Sequence, residues 1–223
     1  MTQVVTFFGL AFTALLPLIN PLGSALIFFG LVGPAPRPVY RTLARRIAII
    51  TTVFLIAVEG LGTAMLKLFG ISLPVMQVSG GLVIAAMGWR LLNAGEPQPK
   101  DDAPLDAPDL AMLEGKVFYP LTFPLTAGPG CIVVMVTLSA HASVEGLMPD
   151  LAAHAGIMLA VVALSVFVYA AYGYAPLITA RIRPQTAHGI LRVIAFVLMC
   201  IGVQITWNGV EVLAKTLLAH QPS

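Results

Sequence analysis

The heptapeptides "PLINPLG" (17–23) and "PLTAGPG" (124–130) interrupt apolar runs with residues that cannot continue a helix. Proline lacks the N–H that would pair the carbonyl four residues earlier. Pro17 and Pro21 therefore free the carbonyls of Thr13 and Pro17, and Pro120, Pro124 and Pro129 free those of Lys116, Pro120 and Leu125. Asn20 and Gly128 each precede a proline and are pushed away from helical geometry. A break of this kind ends one half-helix in carbonyls, which attract cations, and begins another in N–H groups, which attract anions. Two such breaks together can hold a zwitterion. Its carboxylate would lie on the amides of Gly23, Ser24, Gly130 and Cys131 and its ammonium on the carbonyls, with Pro21 at the turn and Asn20, Thr122 and Thr126 adding side-chain contacts. The glycines bring backbone close, which suits a small solute.

Other polar residues also fall inside apolar segments. Glu59, in "LIAVEGLGTAM", is a carboxylate at bilayer depth and reads as a proton or cation coupling site, or else as a hydrated or paired group. Gln77 and Ser79 on one helix, and Gln204 and Asn208 one turn apart on another, either line a cavity or bond a neighbouring helix. His141, His154 and His188 lie at helix ends without a shared metal-ligand spacing, and Cys131 and Cys200 show no disulfide logic, so no metal is expected. No nucleophile–base pair appears, so no catalytic residue is assigned and an enzyme is not expected.

The elements that must carry these groups are membrane helices. Of the 223 residues, 58% are hydrophobic and only 10% are charged, with a mean hydropathy of +0.93. Soluble domains carry about 25% charged residues. The net charge of +2 excludes a nucleic-acid footprint. A bilayer core needs about 20 apolar residues per helix, and six segments qualify: about 4–32, 47–69, 73–94, 118–140, 151–177 and 189–214. The first, after "MTQ", has no positive flank and reads as a retained helix. Arg37, Arg41, Arg45, Arg46, Arg90, Lys100, Lys116, Arg181, Arg183 and Arg192 all fall at the same set of alternate loops, which reads as the cytoplasmic side and places both termini outside. The proline- and acid-rich stretch 95–117 reads as a flexible cytoplasmic linker between a first three-helix unit (1–94) and a second (118–223).

The two heptapeptides lie 107 residues apart, at corresponding places in the halves. An odd number of helices per half makes the halves run in opposite directions. The expected fold is therefore an all-α membrane protein of six helices, arranged as two inverted three-helix repeats with helices 1 and 4 broken near mid-membrane. The stretches "LLPLINPLG" (15–23), "FGIS" (69–72), "SGGLVIAAMGWRLL" (79–92), "FPLTAGPG" (123–130) and "CIGVQITWNGV" (200–210) resemble the MarC family of six-helix bacterial membrane proteins. One departure is Gln77, where the family pattern has a basic residue. The resemblance implies a multi-pass protein of the bacterial inner membrane and transport of a small neutral amino acid such as alanine or glycine. The residues themselves point to a secondary transporter of a small zwitterion working by alternating access. A passive channel, or an exporter of other small molecules, is the alternative. Coupling to H+ or Na+, no bound cofactor, the lipid bilayer and a small-molecule substrate as partners, and a homo-oligomer complete the expectations.

Overall fold

The computed structural model describes residues 2–93, 110–142, 147–182 and 184–219, and among them every regular element is a helix. In chain order these are α1 (Thr2–Ile19), α2 (Pro21–Val32), α3 (Arg37–Leu68), α4 (Leu73–Leu92), α5 (Leu110–Gly115), a wide-turned segment (Val117–Thr126), α6 (Pro129–Ala142), α7 (Leu147–Gly173), α8 (Ala175–Arg181) and α9 (Pro184–Ala219). Among the described residues, five spans are long and apolar enough to cross a bilayer: α1 with α2 (Thr2–Val32), α3, α4, α7 and α9. The wide-turned segment and α6, bent by 65° at their junction, pass the same length and hydropathy test only when taken together, as a broken span or a re-entrant loop.

Local chemistry explains where helices start and stop. Pro38, Pro74 and Pro21 occupy first-turn positions, where a missing N–H is harmless. α2 ends at Gly33 (φ 70°), and α3 ends with Gly70 (φ 66°), a backbone conformation that glycine adopts freely. There the N–H of Ile71 reaches Leu66 O and that of Gly70 reaches Lys67 O, closing the helix with both bonds of a Schellman motif.

Two expected boundaries move. α3 begins at Arg37 rather than near residue 47, so its four arginines form polar first turns instead of a loop. The end of the expected linker is ordered: α5 occupies Leu110–Gly115, and Glu114 pairs with Arg46 of α3 at 2.9 Å. The part of that linker from residue 95 to 109 lies outside the described residues.

The core is shared by α1, α2, α3, α6 and α7, with Phe28 stacked on Tyr172 at 4.5 Å and edge-on to Tyr40. α4 and α9 form an antiparallel pair along a glycine seam. A Cβ on Gly81 would sit 2.6 Å from Gly202 O. One on Gly88 would sit 2.8 Å from Ala195 O, and one on Gly209 would sit 2.6 Å from Pro74 O. Lipid tails are as apolar as leucine, so close backbone contact through small residues supplies the association energy in a membrane.

Candidate functional site

The first break is one residue long. Asn20 adopts φ 44°, ψ 64°, the left-handed conformation that asparagine tolerates better than most side chains. Its Oδ1 accepts the N–H of Gly23 at 3.1 Å and so caps α2. Pro17 does not interrupt α1: Asn20 N–H still reaches Leu16 O at 2.9 Å. The second break is longer. The tandem tetrapeptides Tyr119-Pro-Leu-Thr122 and Phe123-Pro-Leu-Thr126 form two wide turns, with extended backbone at Tyr119 and Phe123 and cis peptide bonds before Pro120 and Pro124. Their bonds skip five residues: Leu121 N–H to Lys116 O at 3.2 Å and Ala127 N–H to Thr122 O at 2.8 Å. The threonines add matching side-chain bonds, Thr122 Oγ1 to Val117 O (2.8 Å) and Thr126 Oγ1 to Leu121 O (2.7 Å). The segment expected as a broken helix over 118–140 is broken at this place, its second half α6 beginning at Pro129 and its first half replaced by the two wide turns.

The breaks meet. Ser24, in the first turn of α2, donates to Ile19 O at 2.9 Å and lies 3.4 Å from Leu125 O, the carbonyl that Pro129 leaves without a helical partner. Tyr172 of α7 braces the second break through a 2.8 Å hydrogen bond with Thr126 Oγ1. Between the breaks lies a cavity of about 410 Å³. It is lined by Pro17, Asn20 and Ser24 on one side, Pro124 and Leu125 on another, and Met87, Arg90, Leu191 and Leu198 from α4 and α9. A recess of about 50 Å³ shares several of these walls and adds Gly128, Gly130 and Cys131. Gly130 permits this closeness, since a Cβ there would collide with Leu18 at 2.3 Å. Arg90 is the one charged side chain among the described lining residues of either space. On the outer flank of the first break, a groove of about 690 Å³ lined by Pro21, Phe167 and Val197 is almost wholly apolar.

The sequence matches the family model described as MarC family integral membrane protein over residues 5–214. The chain belongs to the MarC family. It is 27% identical over 223 residues to the inner membrane protein MarC of Salmonella typhimurium, an alignment covering 97% of this chain and 99% of that one. The corresponding proteins of Citrobacter koseri and Escherichia coli O1:K1 are 28% and 26% identical, with the same coverage. No solved structure matches. The relatives' names and the apolar helices make the chain a multi-pass protein of the inner membrane.

In this MarC family member the expected site residues separate into groups. Asn20, Ser24, Gly128, Gly130 and Cys131 border the cavity or its recess, and Pro21 faces the apolar groove. Three of the four amides expected to receive a carboxylate are already bonded: Gly23 N–H to the Asn20 side chain, Ser24 N–H to Asn20 O, and Cys131 N–H to Gly128 O. Gly130 N–H sits in the first turn of α6, where the helix offers no internal acceptor. Thr122 and Thr126 are buried, and their hydroxyls are bonded to their own segment. Arg90, which the sequence alone presents as one of the basic residues marking the cytoplasmic side, instead borders the cavity.

The remaining candidates lie elsewhere. Gln77 is buried against the α4–α9 seam beside Gly209. Ser79 is exposed and returns its hydroxyl to Val75 O. Gln204 and Asn208 are exposed on α9 and bond each other at 2.8 Å, so they line neither space. Glu59 is buried in α3, away from the cavity, with its carboxylate on Nδ1 of His154 from α7. That partner is 95 residues away in sequence and carries no motif that could have announced it.

Proposed function

We propose that the protein is a secondary transporter of a small neutral amino acid, with alanine and glycine as the first candidates. The observation that supports this best is the cavity between the two breaks, with Arg90 as its charged wall residue and uncharged surroundings. A volume of about 410 Å³ is at the small end of the roughly 300–1,000 Å³ typical of small-molecule sites. The Arg90 guanidinium suits a carboxylate, because its fork of donors matches two oxygens. With no acidic side chain among the described lining residues, the ammonium group falls to backbone carbonyls along the irregular Pro124–Gly128 stretch, where helical pairing is interrupted.

The cavity touches the last turn of α4 and the early turns of α9, at the bundle end that also carries the α3 arginines. On the positive-inside reading this is the cytoplasmic end, both termini are periplasmic, and the cavity is open inward. Alternating access would then rock one three-helix half against the other around the paired breaks, as in inverted-repeat transporters.

Purified protein in liposomes tests this. Saturable uptake and counterflow of labelled alanine or glycine are expected, with neither lost when the other side is loaded with unlabelled solute. A large unsaturated conductance would favour a channel. No flux of either amino acid under any proton or sodium gradient would reject the reading.

A further inference from the structure

At the end of α3 away from the arginines, three titratable side chains form a graded line. The side chain of Asp150 is 34% exposed, that of His154 24% and that of Glu59 3%. The two nitrogens of His154 face different carboxylates: Nδ1 contacts Glu59 Oε1, and Nε2 lies 3.7 Å from Asp150 Oδ1. A carboxylate at this depth is costly to bury, and in a membrane span it marks an ion or proton path by default. Imidazole is the side chain that gains and loses its proton near physiological pH.

We propose that Asp150, His154 and Glu59 are a proton-binding relay, and that protonation of Glu59 is coupled to movement of α6. This rests on the transport reading for its coupling half only. In the transfer step a proton from the water binds Nε2 of His154, and the proton on Nδ1 passes to Oε1 of Glu59. The imidazole is left neutral with its proton on Nε2, Glu59 becomes an uncharged acid, and reversal releases the proton.

No other ionisable group competes at this place among the described residues. On α3, Lys67 is two turns away and exposed. On α6, His141 is exposed, with its Nδ1 on Thr137 O. α1 carries no ionisable side chain.

The link to the cavity is α6. Ser139 Oγ donates to the backbone carbonyl of Glu59 at 2.9 Å, and Gly62 packs so tightly on Val136 that a Cβ would lie 2.3 Å from its Cγ2. The C-terminal half of α6 is therefore clamped to the Glu59 turn. Its first residues, Gly130 and Cys131, wall the recess between the breaks. A helix of 14 residues spans about 21 Å and moves as a rod. A change in charge at Glu59 therefore acts on the element that shapes the solute site.

The test is infrared titration of the protein in bilayers, paired with alanine flux. On acidification, one protonated-carboxyl component, that of a buried acid, should appear in the wild type, be missing from Glu59→Gln, and shift its midpoint in His154→Gln. An acid-outside gradient should change alanine flux several-fold in the wild type and in Lys67→Gln, and leave Glu59→Gln unchanged. Carboxyl bands that are identical in the wild type and in Glu59→Gln overturn the proton site. A band that vanishes while Glu59→Gln still responds to the gradient overturns the coupling. If the wild type moves no alanine, the transport reading fails, and the infrared result still decides whether Glu59 takes the proton. Gel filtration and melting of Glu59→Gln exclude misfolding, and Asp150→Asn should slow the band's appearance without abolishing it.

Discussion

Replacing Asn20 separates the two tasks that this residue performs at the first break. In Asn20→Ala the cap on Gly23 N–H is lost, which costs about 1 kcal/mol. Alanine must also hold φ 44°, which costs about 1 kcal/mol more, because its Cβ crowds the following carbonyl in that region. The sum is about 2 kcal/mol, and a chain of 223 residues should melt about 4–8 °C lower. Asn20→Gly behaves differently. Glycine enters the left-handed region freely, and as a cap residue it is worse than asparagine by only a few tenths of a kcal/mol. Its melting point should fall by about 1 °C, although the side chain that lines the cavity is gone. Melting of the purified proteins in detergent, followed by tryptophan or thiol-dye fluorescence, reads both. If Asn20→Ala melted with the wild type, or Asn20→Gly fell as far as Asn20→Ala, the break would not be held by the cap and backbone of Asn20.

Three further outcomes follow from the geometry. Arg90→Gln should raise the apparent KM for alanine by roughly 10- to 100-fold, the value of a charge-assisted hydrogen bond of about 1.5–3 kcal/mol, and Arg90→Lys should recover part of it; unchanged KM in both would remove Arg90 from the site. Gly81→Leu should drive α4 from α9, because its Cβ meets backbone atoms at 2.5 and 2.6 Å that cannot yield, and the loss should exceed about 3 kcal/mol, seen as failure to accumulate in the membrane, whereas Gly60→Leu, where a Cβ meets nothing within 4 Å, should accumulate normally. Tyr172→Phe removes the brace on Thr126, but that hydroxyl keeps its bond to Leu121 O, so a loss of only about 1 kcal/mol in a melting experiment is expected.

The spans and the two breaks are legible because their signals are local. Length and hydropathy mark the helices, and proline beside asparagine or glycine marks the interruptions. The form of the second break is not legible in that way. "YPLTFPLT" contains prolines four apart and reads as part of a broken helix with unpaired carbonyls, while the structure closes two wide turns with threonine hydroxyls, one of them braced by Tyr172. The early start of α3 is missed because its first turns are arginine-rich and extend beyond the apolar stretch that hydropathy detects. The Glu59–His154 pair joins residues 95 apart, and the seating of Arg90 at the cavity depends on how α4 meets the breaks; neither leaves a periodic trace in the sequence. Three of the four amides expected to receive an anion are already bonded, for a nearer reason. A half-buried polar side chain such as Asn20 satisfies its own helix end before any solute arrives.

A structure determined with alanine or glycine bound tests the central claim most directly. The solute should lie between residues 20–24 and 124–131, with its carboxylate on the Arg90 guanidinium and its ammonium toward the carbonyls of the second break. Solute bound elsewhere, or a saturated protein in which the space beside Arg90 holds only packed side chains, would contradict it.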